Sequence, residues 1–244
     1  MLERKDWMHL KTSQKQMSES FWTVTFLTLS GGFQDAYSYF ARGKVFANAQ
    51  TGNMVLMAAR LVDGDVGGFI RYLFPVVAFA LGIAAASIFR IRFRHSRFHW
   101  RQSIVLIEIL LLALTPVISM DLFANCLVSF ACALQVQSFR KVHGIPFAST
   151  MCIGNLRSLI DNLMIARATN SRRNRRMAFY YCWIIFLFIA GAALGKIFAE
   201  LFGLSSIWGS CLLLTGALSI MFFDPTSISR QTVEDMETDE EQGN

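Results

Sequence analysis

Charged side chains are missing from long stretches of the chain, and their absence indicates the class of protein. No Asp, Glu, Lys or Arg occurs in residues 72–89, 122–139, 177–195 and 201–223. Only one charge each occurs in residues 21–40 and 102–120, at Asp35 and Glu108. About 20 mostly apolar residues suffice for a helix to cross a hydrocarbon core about 30 Å thick. The sequence therefore predicts an all-α polytopic membrane protein with six transmembrane helices.

Further absences exclude other classes of protein. Residues 1–20 contain no apolar segment typical of a secretory signal, so we do not expect a cleaved leader here. The five cysteines form no Cys-x-x-Cys pair, so neither a disulfide framework nor a thiolate metal centre is expected. Neither His-Glu-x-x-His nor Gly-x-Ser-x-Gly occurs. We predict no enzymatic activity, no cofactor and no bound metal.

The two ends of the chain differ from the apolar stretches. Residues 1–20 are polar and of mixed charge, and predict a short cytosolic arm. Residues 224–244 contain seven acidic residues against one basic residue, Arg230, and predict a disordered acidic cytosolic tail. Because this tail carries −6 of a whole-chain charge of +6, residues 1–223 carry +12. That excess lies in loops flanking apolar stretches, which indicates contact with lipid head groups and no nucleic-acid binding.

The two halves of the chain resemble each other, which divides it into a membrane repeat at residues 21–120 and a second at 121–223. Residues 42–47 (RGKVFA) align with residues 143–148 (HGIPFA), and Gly52-Asn53 aligns with Gly154-Asn155. Such self-similarity is typical of a duplicated structural unit. Each half contains a long span, a short polar element and two more long spans.

The short polar elements are residues 45–61 and 146–166. The second contains Arg157 and Asp161 four residues apart, and such polar density cannot face lipid. Residues 90–101 and 167–176 hold five Lys or Arg each. If neither short element crosses, both basic loops and both termini lie in the cytoplasm, as the positive-inside tendency requires. We therefore predict two short re-entrant half-helices, and three spans per half make the repeats inverted.

The starts of the re-entrant half-helices form the candidate site. We expect them near Thr51 and Ile153, with Thr51 as a helix cap, so that Gly52-Asn53 and Gly154-Asn155 meet near the midplane. Free N–H groups at helix amino termini suit an anion or a polar solute. The alternative is that both Gly-Asn pairs serve only tight turns and helix packing.

Polar residues inside the spans extend this site. Asp35 is interpreted as a carrier of a coupling proton or a cation, or alternatively as a salt-bridge partner of Arg42 or Lys44 or a cap-like acceptor. Glu108 is expected to reach the arginine-rich loop instead. The predicted substrate-binding residues are Gln34, Asp35, Thr51, Gly52, Asn53, Gln135, Gln137, Gly154 and Asn155.

The chain resembles a known family in an ordered set of motifs. Residues 32–36 (GFQDA), 43–46 (GKVF) and 50–53 (QTGN) are similar to the "GfxDA … lGxvF … mTGN" signature of the YoaK family of small bacterial membrane proteins. Residues 133–135, 144–146 and 149–150 are similar to that family's second-half segment. Val136 and Ile153 depart from the family's usual Asn and Thr. The resemblance covers residues 21–223 and implies a multi-pass protein of the bacterial inner membrane, without naming a substrate.

Two functions are compatible with these features. The first is a transporter or channel-like protein for a small polar or anionic solute, with membrane lipids bound by the arginine-rich loops and oligomerisation possible. The second is a non-transporting membrane scaffold or regulatory partner, whose polar centre only fixes helix packing. A water-lined cavity at the half-helix starts favours the first, and a dry, filled centre favours the second.

Overall fold

The computed structural model describes residues 21–92, 100–142, 145–146, 149–150 and 152–222, and these residues are almost wholly helical. The helices are α1 (Phe21–Ala41), α2 (Gln50–Val62), α3 (Val66–Arg92), α4 (Trp100–Leu114), α5 (Asp121–Ser138), α6 (Cys152–Thr169), α7 (Arg172–Phe202) and α8 (Ile207–Phe222). Short 3-10 turns follow α4 and α7, at Thr115–Val117 and Gly203–Ser206. Two-residue strands, β1 (Lys141–Val142) and β2 (Ile145–Pro146), pair antiparallel between α5 and α6.

The helices coincide with the predicted segments. Helices α1, α3, α4, α5, α7 and α8 overlap the six apolar stretches, and α2 and α6 overlap the two short polar elements. Three stretches of the described residues are long and apolar enough to cross a membrane: Val66–Arg92, Trp100–Val117 and Arg172–Phe222. The third joins α7 and α8 across the 3-10 turn. These stretches indicate a helical membrane protein.

Several predicted segments lie outside the described residues. They are the amino-terminal arm (residues 1–20), residues 93–99 of the first arginine-rich loop, and the acidic tail (residues 224–244).

The chain folds back on itself after α1. Gly43 and Lys44 reverse its direction with φ angles of 81° and 62°, a conformation that glycine adopts without steric cost. The backbone N–H of Asn48 then donates to Asp35 Oδ1 at 2.7 Å, in the middle of α1. Helix α2 then runs back to the side of the bundle where α1 ends. Arg42, just after α1, and Arg71, near the start of α3, line the same cleft of about 310 Å³.

A second fold-back follows α5. Ser149 Oγ accepts a hydrogen bond of 2.9 Å from Gln135 Nε2, so the loop runs back along α5 before α6 begins. Helix α6 then returns along the first turns of α1, because Leu159 packs against a cluster of Val24, Tyr181 and Ile184. Both α2 and α6 therefore begin inside the bundle and end at the side from which their loops entered.

Glycines bring α1 and α7 into backbone contact. A Cβ atom on Gly191 would lie 2.1 Å from the carbonyl oxygen of Leu29, and one on Gly32 would lie 2.1 Å from that of Phe188. The Gly191–Gly195 segment of α7 therefore packs directly against α1 of the same chain. Helix α3 meets α5 in the same way, with Gly82 against the carbonyl oxygen of Phe130 at 2.6 Å.

Substitution of Gly191 by leucine is expected to destabilise the protein strongly. The new side chain would occupy the position of the α1 backbone, and overpacking of this kind costs about 1–3 kcal/mol or more. Thermal unfolding of the purified protein in detergent measures the effect. Ala193→Leu is the control, because Ala193 is exposed on the same helix; equal midpoints for the two variants would contradict the proposed contact.

Candidate functional site

The two fold-back loops meet at Gly31. This residue lies ten residues from each end of α1 (Phe21–Ala41), which corresponds to about 15 Å of helix on either side. Asn48 Nδ2 of the first loop donates to the Gly31 carbonyl oxygen at 3.2 Å. From the second loop, Thr150 Cγ2 would lie 2.6 Å from a Cβ on Gly31. A larger residue at position 31 would therefore separate the loop from α1.

The first loop is held by Asp35 and Asn53. Asp35 accepts the backbone N–H of Asn48, which is the cap-like role considered for it. Arg42, its alternative partner, instead pairs with Asp121 at 3.2 Å. The Asn53 side chain is fully buried and bonds both backbone groups of Phe46, accepting from N at 3.0 Å and donating to O at 2.7 Å. Both side chains fix the path of the backbone that leads into α2.

The second loop depends on Gln135, which aligns with Gln34 in the repeat. Its Nε2 donates to the Leu27 carbonyl oxygen at 3.1 Å and to Ser149 Oγ at 2.9 Å. Asn155 is buried, with 3% of its surface exposed, in the first turn of α6. Gln137 points elsewhere, donating to Ser87 Oγ on α3 at 2.7 Å.

Three predicted residues at the half-helix starts are not enclosed in the core. Thr51 and Gly154 are exposed, and Gly52 is half-buried against the ring of Phe46. The prediction that Thr51 caps α2 is wrong. The helix begins one residue earlier, at Gln50, with Ala49 in the cap position and no side-chain cap, because Asn53 already ties the first turn to Phe46.

Glu108 belongs to the polar centre, so its predicted approach to the arginine-rich loop is wrong. Its side chain is fully buried, and its Oε1 accepts from Gln34 Nε2 at 3.0 Å. Eight residues separate it from the start of α4 at Trp100, a depth of about 12 Å that a glutamate side chain cannot bridge. The lone charge in its apolar stretch was the signal for an internal role.

Gln34 connects Glu108 to three further helices. Its Nε2 also lies 2.9 Å from Ser30 Oγ and 3.1 Å from Ser210 Oγ, and its Oε1 accepts from Cys132 Sγ at 2.6 Å. Residues from α1, α4, α5 and α8 thus share one buried cluster. Sequence patterns did not single out Ser30, Ser210 or Cys132, because isolated small polar residues are common in membrane helices.

Several buried polar atoms around the loop junction lack a partner within the described part of the chain. They include Asn48 Oδ1, Gln135 Oε1 and Thr150 Oγ1, and Glu108 Oε2 in the neighbouring cluster around Gln34 is a further example. Buried polar groups are almost always hydrogen-bonded in folded proteins. Atoms of this kind suit ordered water or a polar ligand.

Comparison with known proteins identifies the family. Residues 23–220 match the family described as "Protein of unknown function (DUF1275)". The chain belongs to the DUF1275 family. The YoaK proteins are DUF1275 members, so the resemblance in the sequence motifs is confirmed. No curated protein and no solved structure is detectably similar to the chain. The matched DUF1275 region includes both loops and the buried cluster around Gln34.

Replacing Asn53 by alanine is expected to destabilise this DUF1275 protein. The N–H and C=O of Phe46 would lose their side-chain partner in a half-buried loop, a loss of about 2–3 kcal/mol. Unfolding in a denaturing-detergent titration measures the change in the free energy of unfolding. The control is Asn162→Ala, because within the described part of the chain the Asn162 side chain makes only a local bond, to the Ser158 carbonyl oxygen in α6. A role for Asn53 as the loop clamp is refuted when the two variants lose the same stability.

Proposed function

We propose that this protein is a transporter or channel-like protein of the bacterial inner membrane for a small polar or anionic solute. The observation that carries the proposal is the meeting of two fold-back loops at Gly31, beside polar atoms that have no partner among the described residues. In transporters, helices broken at the membrane midplane bind solutes through their amino termini. Irregular backbone at that depth is tolerated where it lines a cavity or is buried in protein.

In the proposed arrangement six helices cross the membrane and α2 and α6 are re-entrant. Helices α1 and α5 run in opposite directions, since Asn125 at the start of α5 donates to the Arg42 carbonyl oxygen just after α1. Helices α4 and α8 do so too, since Gln102 at the start of α4 donates to the Met221 carbonyl oxygen near the end of α8. These directions support inverted repeats, and the arginine-rich loops favour a cytoplasmic position for both termini.

The packing of the two halves on each other is reciprocal, which also supports the repeat. Helix α1 of the first half packs mainly on α7 and α8 of the second half. Its counterpart α5 packs on α3 and α4 of the first half. Within each half, the short helix packs on the helix that follows it, α2 on α3 and α6 on α7. A pseudo-twofold relation between the halves accounts for this pattern.

A solute at the loop junction would meet groups from both halves. Asn48 and Thr150 would contribute polar atoms that have no partner among the described residues, and the first turn of α6 would contribute N–H groups. In the first turn of α2, the N–H groups of Gln50 and Gly52 already donate to the carbonyl oxygens of Asn48 and Ala49. Asp35 and Asn53 would keep the first loop in place, and Gln135 would position Ser149 of the second. In this proposal Asn48 and Thr150 join the residues predicted from sequence.

A non-transporting scaffold is the alternative, and one observation favours it. Gln34, Asp35 and Asn53 already bond to other groups of the same chain. A polar centre that satisfies itself can fix helix packing without binding a solute.

Ligand-induced thermal shifts separate the two functions. Purified protein would be screened against small anions, amino acids and polyols, with Thr150→Val as the test variant. We expect a stabilising solute whose shift is lost in this variant, because the substitution removes a hydroxyl without changing side-chain volume much. Thr215→Val is the matched control, since Thr215 is exposed on α8 and, among the described residues, its hydroxyl bonds only the Cys211 carbonyl oxygen.

Uptake of the stabilising solute into proteoliposomes would then test transport directly. We expect uptake by wild type and by Thr215→Val, and at least tenfold less by Thr150→Val. The proposal fails when no solute in the panel shifts the wild-type midpoint, or when bound solute is not carried into the vesicles. Either result supports the scaffold.

A further inference from the structure

We propose that Glu108, Gln34, Ser30 and Ser210 form a binding site for a monovalent cation of the size of sodium. These four side chains come from α4, α1 and α8, and all of them are fully buried. The site is separate from the loop junction at Gly31. Its use as a coupling site rests on the proposed transport function, whereas the binding of the cation does not.

Glu108 places a carboxyl group inside the bundle without a basic partner. Among the described residues, no Lys, Arg or His forms an ion pair with it. Arg42 is the one buried basic residue of the described chain, and its guanidinium donates to Tyr37, to Asp121 and to two carbonyl oxygens. Buried charges in proteins are paired or bind metal ions. Ionisable residues inside a membrane often mark the path of an ion.

The oxygens around Gln34 outnumber the hydrogens that its amide can donate. Glu108 Oε1 accepts from Gln34 Nε2 at 3.0 Å, while Glu108 Oε2 has no partner among the described residues. The same Nε2 also lies within hydrogen-bond distance of Ser30 Oγ and Ser210 Oγ. An amide nitrogen carries two hydrogens, so it cannot serve three oxygens at once. An added positive charge would satisfy the oxygens that remain.

The oxygens are close enough together to bind one small ion. Ser30 Oγ and Ser210 Oγ are 2.8 Å apart, and both lie within 3.1 Å of Gln34 Nε2. A half turn of the Gln34 amide exchanges its nitrogen and oxygen, which brings Oε1 beside Glu108 and both serines. The Nε2 would then lie beside Cys132 Sγ, which contacts Oε1 before the turn. Carboxylate, amide and hydroxyl oxygens are ligands that hard cations prefer.

Charge and size select the class of cation. Glu108 is the one carboxylate of the cluster, so a single positive charge neutralises it, whereas calcium is usually bound by several carboxylates. The described residues contain no group of three or more His, Cys, Asp and Glu side chains, the ligand set of a transition metal. Neighbouring polar atoms are 2.8 to 3.1 Å apart, which favours sodium over the larger potassium ion.

The cluster lies next to the loop junction and joins both halves of the chain. Gln34 follows Gly31 by three residues, or about one turn of α1, and directly precedes Asp35, which holds the first loop. Glu108 belongs to the first half and Ser210 to the second. A bound cation would therefore draw α1, α4 and α8 together beside the proposed solute site. Transporters bind coupling ions and solutes close to each other near the membrane midplane.

Thermal unfolding in different salts tests the site. Purified protein in detergent would be titrated with NaCl, or in parallel with KCl, while choline chloride keeps the ionic strength constant. No solute is added. We expect the unfolding midpoint to rise with NaCl and to rise less with KCl, because a ligand that binds only the folded state stabilises it. Constant ionic strength removes charge screening as a cause of the shift.

Two substitutions remove proposed ligands from the cation. Glu108→Gln preserves the shape of the side chain and removes its charge. We expect the apparent affinity for Na⁺ to fall roughly 10- to 100-fold, the range for one contact to a charged group. Ser210→Ala removes one hydroxyl and is expected to lower the affinity about 2- to 10-fold. This second variant keeps the test decisive when Glu108→Gln does not fold.

Each substitution has a matched control on the protein surface. Glu200→Gln changes an exposed glutamate of α7 that pairs with Lys196. Ser219→Ala changes an exposed serine of α8 whose hydroxyl donates to the Thr215 carbonyl oxygen. Both controls are expected to respond to NaCl as the wild type does.

The site is refuted by any of three results. The first is an equal midpoint of the wild type in NaCl, KCl and choline chloride. The second is an unchanged response to NaCl in the folded ligand variants. The third is a midpoint that depends on pH but not on Na⁺, which would identify a proton on Glu108 in place of a metal ion. Because no solute is present, these results are independent of the Thr150→Val experiments, and Na⁺ binding without solute uptake would refute transport alone.

Discussion

Backbone groups that enter a membrane protein's interior must find hydrogen-bond partners there, because lipid offers none. Two non-helical loops enter this bundle, and their contacts with α1 satisfy that constraint. Asp35 accepts the Asn48 N–H, and Asn48 in turn donates to the Gly31 carbonyl oxygen. Because Gly31 has no side chain, Thr150 of the other loop can contact α1 at this residue. The starts of α2 and α6, and hence the candidate site, depend on these few bonds.

Close backbone packing makes each half of the protein depend on the other. Helix α1 presses against α7 at Gly191, and α5 presses against α3 at Gly82. Without a strong hydrophobic force between helices in lipid, such van der Waals contact and interhelical hydrogen bonds hold membrane bundles together. The hydrogen bond between Gln34 and Glu108 adds a polar contact between α1 and α4. Because the first helix of each half packs on helices of the other half, polar residues from both halves lie close together in the centre of the bundle.

The positions of the helices could be predicted well, and the directions of individual side chains could not. The starts expected at Thr51 and Ile153 differ from the observed starts at Gln50 and Cys152 by one residue each. Helix position follows from apolar length and from residues that break helices, which are local properties. Glu108 was misplaced because the face it presents depends on how α4 packs on α1. The contacts of Asn48 with Asp35 and Gly31 were not predicted either, because they depend on how the loop packs against α1.

The sequence by itself determined that this is a helical protein typical of membranes, with two short polar elements, because uncharged apolar runs of about 20 residues match the thickness of a hydrocarbon core. Its ordered local motifs also predicted the YoaK family, whose proteins are DUF1275 members. Only the tertiary structure decided that both loops meet at Gly31, that Glu108 points to Gln34, and that the charged face of α6 points outward. Those outcomes depend on contacts between residues far apart in the chain, and on burial that only packed helices create.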